Sequence, residues 1–228
     1  LQDGEDKMNV DLVWNGDGIR VTKRYSFERD SYQVHVSHRV ENTTSESWTG
    51  RFYGQFRRAR PNESRGLFQI YTYTGGILSS PEKPYEKYDF DDMEEQDLNR
   101  DVKGGWLAII QHYFAGAWIP DKSVEAHYYS KELKSGLYVL GLVAPSFTVP
   151  AGGTGEDSLS LYVGPKIQKR LAKAAEGLER TVDYGWLFFI AQPLYVALQF
   201  IQSIVTNWGW AIIILTFFIK LLFFPLSN

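Results

Sequence analysis

Four histidines, at positions 35, 38, 112 and 127, are the side chains best suited to proton transfer or metal ligation near neutral pH. His35 and His38 fall in the alternating run YQVHVSHRV, so a strand points them to opposite faces and denies them a shared metal. His112 and His127 are the kind of pair that would serve a sugar-converting β-sandwich enzyme, but nothing in their spacing joins them, and they read as ordinary strand residues. The segment DFDDMEEQD (89–97) holds six acids in nine residues. It lacks calcium-loop spacing and reads as a solvated acidic loop. PAGGTGED (150–157) lacks the Lys-Ser/Thr of a phosphate cradle and reads as a turn. There is no GxSxG, HExxH or Walker pattern, and no cysteine for thiolate chemistry, disulfides or zinc. No catalytic residue, metal site or cofactor is assigned. One charge stands out instead: Lys220, in the middle of IIILTFFIKLLFF.

The elements that would position these residues divide the 228-residue chain in two. Of its 24 basic and 27 acidic residues, only Asp183 and Lys220 lie beyond Arg180. A polar domain therefore precedes a tail of membrane character. The net charge of −3, with no long basic run, argues against a nucleic-acid partner. The chain starts with Leu1, shows no signal-peptide pattern and ends close to an apolar run, so it is expected to be a fragment of something longer.

In the polar part, IRVTKRYSF and YQVHVSHRV alternate at period 2, and turn clusters separate the runs: NGDG (15–18), ENTTSES (41–47), RPNESRG (60–66) and TGG (74–76). Arg51, Arg57, Arg58, Arg60 and Arg65 form a local basic cluster, read as a solvated hairpin edge. A largely apolar run follows from Trp106 to Ile119, then GLYVLGLVA and SLSLYVG. Strands repeating without intervening helices predict an antiparallel β-sandwich. From Pro165 to Leu178 the period changes, with Ile167, Leu171 and Leu178 on one helical face. Pro165 is expected in the first turn and Gly177 as the cap. Lys166, Lys169, Arg170 and Lys173 make this helix either a solvated connector or one resting on anionic headgroups.

Two apolar stretches close the chain. In 186–206 the polar residues Gln192, Gln199, Gln202, Ser203 and Thr206 fall in a stripe roughly 100° wide. The stripe suits a helix lying at an interface, while the absence of charge leaves a spanning helix open. In 207–228, Asn207 is an N-cap, Trp208 and Trp210 suit an aromatic belt, and Pro225 marks the far end. Trp208 to Leu226 would rise roughly 28 Å, enough for the hydrocarbon core. A mid-membrane Lys costs about 2.5–3.5 kcal/mol, which the surrounding Ile, Leu and Phe offset. Lys220 then either snorkels to the near interface or faces a polar cavity within the membrane.

With GGWLAIIQHYFAGAWIP (104–120), YVGPK (162–166), VDYGWLFFIAQPL (182–194) and NWGWAIIILTFFIKLLFFPLS (207–227), the sequence closely resembles the YidC family of bacterial membrane protein insertases, in the form with a large periplasmic domain. The likeness extends weakly through 10–103, including KPYEKYDF (83–90). It implies an N-terminally incomplete periplasmic β-supersandwich over 1–165, related in fold to sugar mutarotases, and a helical connector over 166–185. It further implies a periplasmic interfacial amphipathic helix over 186–206, deciding between interface and span, and a transmembrane helix over 207–228, the first of a five-helix core. By this resemblance the chain sits in the bacterial inner membrane with 1–206 on the periplasmic side and Trp186, Trp208 and Trp210 anchored at the interface. Lys220 occupies the position of the basic residue that attracts substrates into the hydrophilic groove, where many members carry Arg; Lys keeps the charge and loses the bidentate fork. The implied function is a non-enzymatic insertase and chaperone, alone or with the Sec translocon. Its partners would be nascent inner-membrane proteins, the translocon's accessory subunits and lipids, with no cofactor. A membrane-tethered carbohydrate-binding or mutarotase-like domain is the alternative that the related fold suggests, and a translocon docking module is another.

Overall fold

The structure, a computed structural model, describes residues 5–61, 73–182 and 188–224. The chain forms two compact units, Leu1–Val182 and Asp183–Asn228.

The first unit is antiparallel β-structure. One sheet contains β1 (Lys7–Gly16), β2 (Ile19–Glu28), β3 (Gln33–Asn42), β6 (Gly75–Ser79), β7 (Glu86–Tyr88), β9 (Trp106–Ile110), β10 (Phe114–Ile119) and β14 (Thr154–Pro165). Their spatial order is β1-β2-β3-β14-β10-β9-β6-β7. A second sheet, in the order β5-β12-β11-β8, is built from β5 (Tyr53–Ala59), β8 (Asn99–Lys103), β11 (Glu125–Glu132) and β12 (Leu137–Val143). β4 (Trp48–Gly50) and β13 (Phe147–Val149) pair separately. NGDG closes the first hairpin: Gly16 faces Ile19, and Asp17 and Gly18 take φ of 50° and 73°. That is the left-handed pair a two-residue hairpin loop needs.

The two large sheets face each other across a core that includes Val36, Leu78, Leu107, Trp118, Tyr128, Leu140, Leu142 and Leu159. This confirms the expected antiparallel sandwich. A second apolar layer lies on the other side of the eight-stranded sheet, where Trp106, Ala108, Ile110, Ala115, Ala117 and Tyr162 meet Leu171 and Leu178. The run from Trp106 to Ile119 reads as continuously apolar for this reason: β9 and β10 are covered on both faces. β1 ends the sheet at an exposed edge.

Three local expectations need correction. The acidic segment is not a solvated loop but contains α1 (Phe90–Glu95), capped reciprocally by Asp89 and Asp92. Phe90 and Met93 lie three apart on one turn and are 5% and 2% exposed, so burial organises a segment whose charge suggested solvation. The basic cluster is not uniformly solvated either: Arg60 pairs with Asp91 and Glu94 on α1, and Arg58 is partly buried, while Arg65 lies outside the described residues. Finally, Pro165 closes β14 opposite Phe114 instead of opening a helix, and α2 runs only Gln168–Ala174. Gly177, at φ 79°, precedes a 3-10 turn over Leu178–Thr181. Leu171 and Leu178 are fully buried in the second layer, so this stretch packs as part of the first unit, which runs past Pro165 to Val182.

The second unit contains α3 (Phe188–Val205) and α4 (Trp208–Phe223), which pack on each other. Thr206 turns the chain at φ 53°, and Asn207 caps α4 by accepting from the backbone N–H of Gly209 at 2.8 Å and of Trp210 at 3.3 Å. Pro193 lies inside α3, early in the helix. Among the described residues, no helix is long and apolar enough to cross a membrane, and α4 has 16 residues.

Candidate functional site

The helical hairpin carries the arrangement that water does not explain. α3 has three faces. Leu198, Ile201 and Val205 are mostly covered, on the side toward α4; Val196, Phe200 and Ile204 are 59%, 66% and 67% exposed; and Gln192, Gln199 and Ser203 form a polar stripe between them. On α4, Ala211 is fully buried and Ile214, Leu215 and Ile219 continue its covered stripe, while Ile212, Ile213, Phe217, Phe218, Leu221 and Leu222 are all more than half exposed. Such continuous apolar exposure on two helices costs about 25 cal/mol per Å² in water and nothing in hydrocarbon.

Within that surface Lys220 sits in the last turn of α4 and is exposed. It lies nine residues after Ala211, which at 100° per residue is about 180° around the helix, away from α3. Along the axis it is about 20 Å beyond Asn207. Its ammonium near the C-terminal carbonyls also complements the helix dipole. Trp208 and Trp210 are 50% and 62% exposed at the start of the helix. Trp186, the third expected anchor, lies outside the described residues.

The histidines do not converge. His112 lies in the turn after β9, in contact with Tyr113, and His127 lies on β11 of the other sheet. His127 Nδ1 is 2.8 Å from Asp101 Oδ1, a cross-strand pair set by the β8–β11 register. Both side chains are solvated and neither borders a described cavity. Among the described residues, no group of three or more His, Asp or Glu side chains is placed to hold a metal. Sequence alternation did separate His35 and His38 correctly. His35 faces outward; His38 faces the core, 7% exposed and stacked on Phe52 at 4.0 Å between ring centres.

Burial, together with the positive charge of Lys23 beside it, pushes the His38 imidazole down to about 4. Asp157, its register partner on β14, is itself partly buried, and burial raises its carboxyl above the usual range. Because the folded value for His38 is depressed, the unfolded chain takes up a proton first as pH falls. The stabilisation from neutral His38 is therefore complete above about pH 6.5 and declines down to about pH 4. The melting temperature of the first unit is expected to fall between pH 6.5 and 5 and to become flatter across that window in His38→Leu. Circular dichroism at fixed ionic strength measures this, and an unchanged slope in the variant would show that other groups control it.

Comparison with known proteins agrees with the outline. A sequence profile described as the YidC periplasmic domain matches residues 1–197. The membrane protein insertase YidC of Nitrosococcus oceani is 44% identical over 229 residues, covering all of this chain and 42% of its own length. That of Hahella chejuensis is 46% identical over 232 residues, covering all of this chain and 40% of its own length. The chain thus spans about two fifths of the length of these relatives. In fold, a GH36 alpha-galactosidase of Geobacillus stearothermophilus superposes with a TM-score of 0.57 at 10% identity, over 76% of this chain and 27% of that one. This likeness concerns architecture alone.

Proposed function

The chain belongs to the YidC family of membrane protein insertases, and on that premise we propose that it supplies the periplasmic domain and first membrane-entering helix of an insertase. The complete protein helps inner-membrane proteins insert, fold and assemble, alone or with the Sec translocon and its accessory subunits, and makes and breaks no covalent bond in doing so. Residues 1–206 lie on the periplasmic side. Residues 186–206 rest on the bilayer surface with Trp186, Trp208 and Trp210 at the headgroup level, and residues 207–228 enter the membrane. Lys220 presents its charge to incoming chains within it.

The observation that carries this reading is the hairpin's combination of an exposed apolar surface, a separate Gln/Ser stripe and one outward Lys. The stripe runs along the length of α3, as an interfacial helix requires, because one side must stay wet from end to end. In α4 exposed apolar residues cover the side turned away from the Ala211 stripe, as lipid contact requires. The likeness to a GH36 alpha-galactosidase, at 10% identity, concerns the fold and carries no enzyme reading to this chain.

Single cysteines at Gln192, Gln199 and Ser203 in the full-length protein are expected to react with an impermeant thiol reagent added from the periplasm. The native sequence has no cysteine to confuse the signal within this segment. Labelling of Gln192→Cys only from the cytoplasm would mean that the helix spans the bilayer.

A further inference from the structure

The outer face of the eight-stranded sheet is covered only in part. α2 and the 3-10 turn roof its apolar half; where that roof stops, a cleft of about 860 Å³ opens over the polar half. This volume falls in the range of small-molecule sites, about 300–1,000 Å³.

Strand register assembles the floor. Ser160 on β14 lies between His35 on β3 and Ile119 on β10, and Ser79 on β6 faces Trp106 on β9. Gln33 and Ser158 lie two residues away on the same faces. The row continues toward the sheet edge through Ser26 and Asn9, which line an adjoining depression. The side chains of His35, Ser79 and Ser160 make no hydrogen bond or ion pair to another described residue. They are short or planar hydrogen-bonding groups on a rigid surface, Ser79 the most deeply set of them.

The roof is fixed. Trp106 Nε1 donates to the Glu176 carbonyl at 2.9 Å, and Lys122 Nζ bridges to Glu176 Oε2 at 2.9 Å across the mouth. Leu171 and Leu178 beneath it are fully buried. Glu179, also on the roof side, turns its Oε2 inward, where it is buried without a hydrogen-bond partner among the described residues.

From this arrangement we propose that the cleft between the α2 roof and the His35–Ser160 row is a binding site for a neutral, hydroxyl-rich ligand, a saccharide. Three features select that class. The rim carries charges of both signs, Asp121 and Glu176 beside Lys122 and Arg180, with Lys122 and Glu176 paired to each other, so it selects neither a free anion nor a free cation. The remaining floor groups are hydroxyls, an amide and an imidazole, which exchange hydrogen bonds with hydroxyls in either direction. An extended peptide fits less well, because the floor strands β3, β14 and β10 are paired on both sides and offer no free backbone edge.

The site is independent of membrane insertion, so its test separates the two. The full chain is placed in phosphatidylcholine nanodiscs, which carry no sugar headgroup, and maltotriose, cellotriose and chitotriose are titrated by saturation-transfer difference NMR. At least one is expected to bind. Ser160→Ala should weaken that binding about fivefold, the loss of one hydrogen bond to the floor. Ser160→Phe should abolish it by filling the floor, while the dichroism of both variants stays native. Absence of binding by all three sugars overturns the proposal, as does binding indifferent to both substitutions. A Ser-Gly decapeptide that binds where the sugars do not would also overturn it and assign the cleft to extended polypeptide.

Discussion

In the full-length protein, Lys220→Glu is expected to abolish insertion of substrates with acidic translocated segments, while Lys220→Arg retains activity and Lys220→Ala falls between them. The argument begins with cost. An ammonium in the hydrocarbon carries a penalty of about 2.5–3.5 kcal/mol, and the apolar residues of α4 outweigh it without removing it. A snorkelling side chain needs only a nearby interface and tolerates neutral replacement. A groove charge acts on its substrate through a low effective dielectric, where one charge counts for several times its value in water. Reversing the sign there converts attraction into repulsion, so Glu should be worse than Ala. The placement of Lys220 on the side of α4 away from Ala211 leaves it free of the α3 contact, so the substitution should not disturb the hairpin. Insertion of a small single- or double-spanning substrate, scored by protease protection with the abundance of the insertase checked, measures the effect. Full activity of the Glu variant at normal abundance would falsify the groove role and leave Lys220 as a snorkelling side chain.

Gly105→Ala should unfold or severely destabilise the first unit. A Cβ at this position would stand 1.9 Å from the Ser79 carbonyl oxygen and 2.9 Å from Val102 Cγ1. The first of these atoms is backbone, in the β6–β9 pairing, and cannot rotate away. Overpacking of this kind costs about 3 kcal/mol or more, against a total stability of about 5–15 kcal/mol for a domain. A fall in melting temperature of about 10 °C is the corresponding scale. Gly152→Ala is the control. Its φ of 66° imposes about 1–2 kcal/mol on any L side chain, but nothing lies within 4 Å of the added methyl. Thermal scans of the β signal in both variants should therefore separate clash from conformational strain. Equal shifts would mean that the sheet yields around Gly105.

Much of the architecture was legible because it repeats locally. Alternation in YQVHVSHRV placed Val36 inside and His35 outside, and NGDG named its own hairpin. Asn207 announced the start of α4 by its capping chemistry. Errors arose where two local signals conflicted. In DFDDMEEQD, six charges outvoted the spacing of Phe90 and Met93, although burying two large side chains decides more free energy than solvating exposed carboxylates. Pro165 fits a helix start as well as a strand end, and only its pairing with Phe114 chose between them.

What the sequence determines by itself is whatever depends on neighbours along the chain: the two-part division by charge, the period-2 strands, the turn residues, and the long motif strings through which the family is recognised. Lys220 belongs here too, since a single charge in an apolar run needs no fold to be noticed. Tertiary structure alone decided what depends on register between distant strands. Nothing in His35, Ser79, Ser160 and Glu179 as a set marks them as one cleft, because they come from four elements between 35 and 179 and meet only once β3, β14, β10, β9 and β6 lie side by side. The same holds for the second covered face of β9 and β10: a run of apolar residues specifies burial but not the cover, and Leu171 and Leu178 supply that cover from a segment whose charges had suggested a connector. Hydrophobic burial is non-directional, so it fixes which residues go inside, while hydrogen-bonded register fixes which polar residues meet.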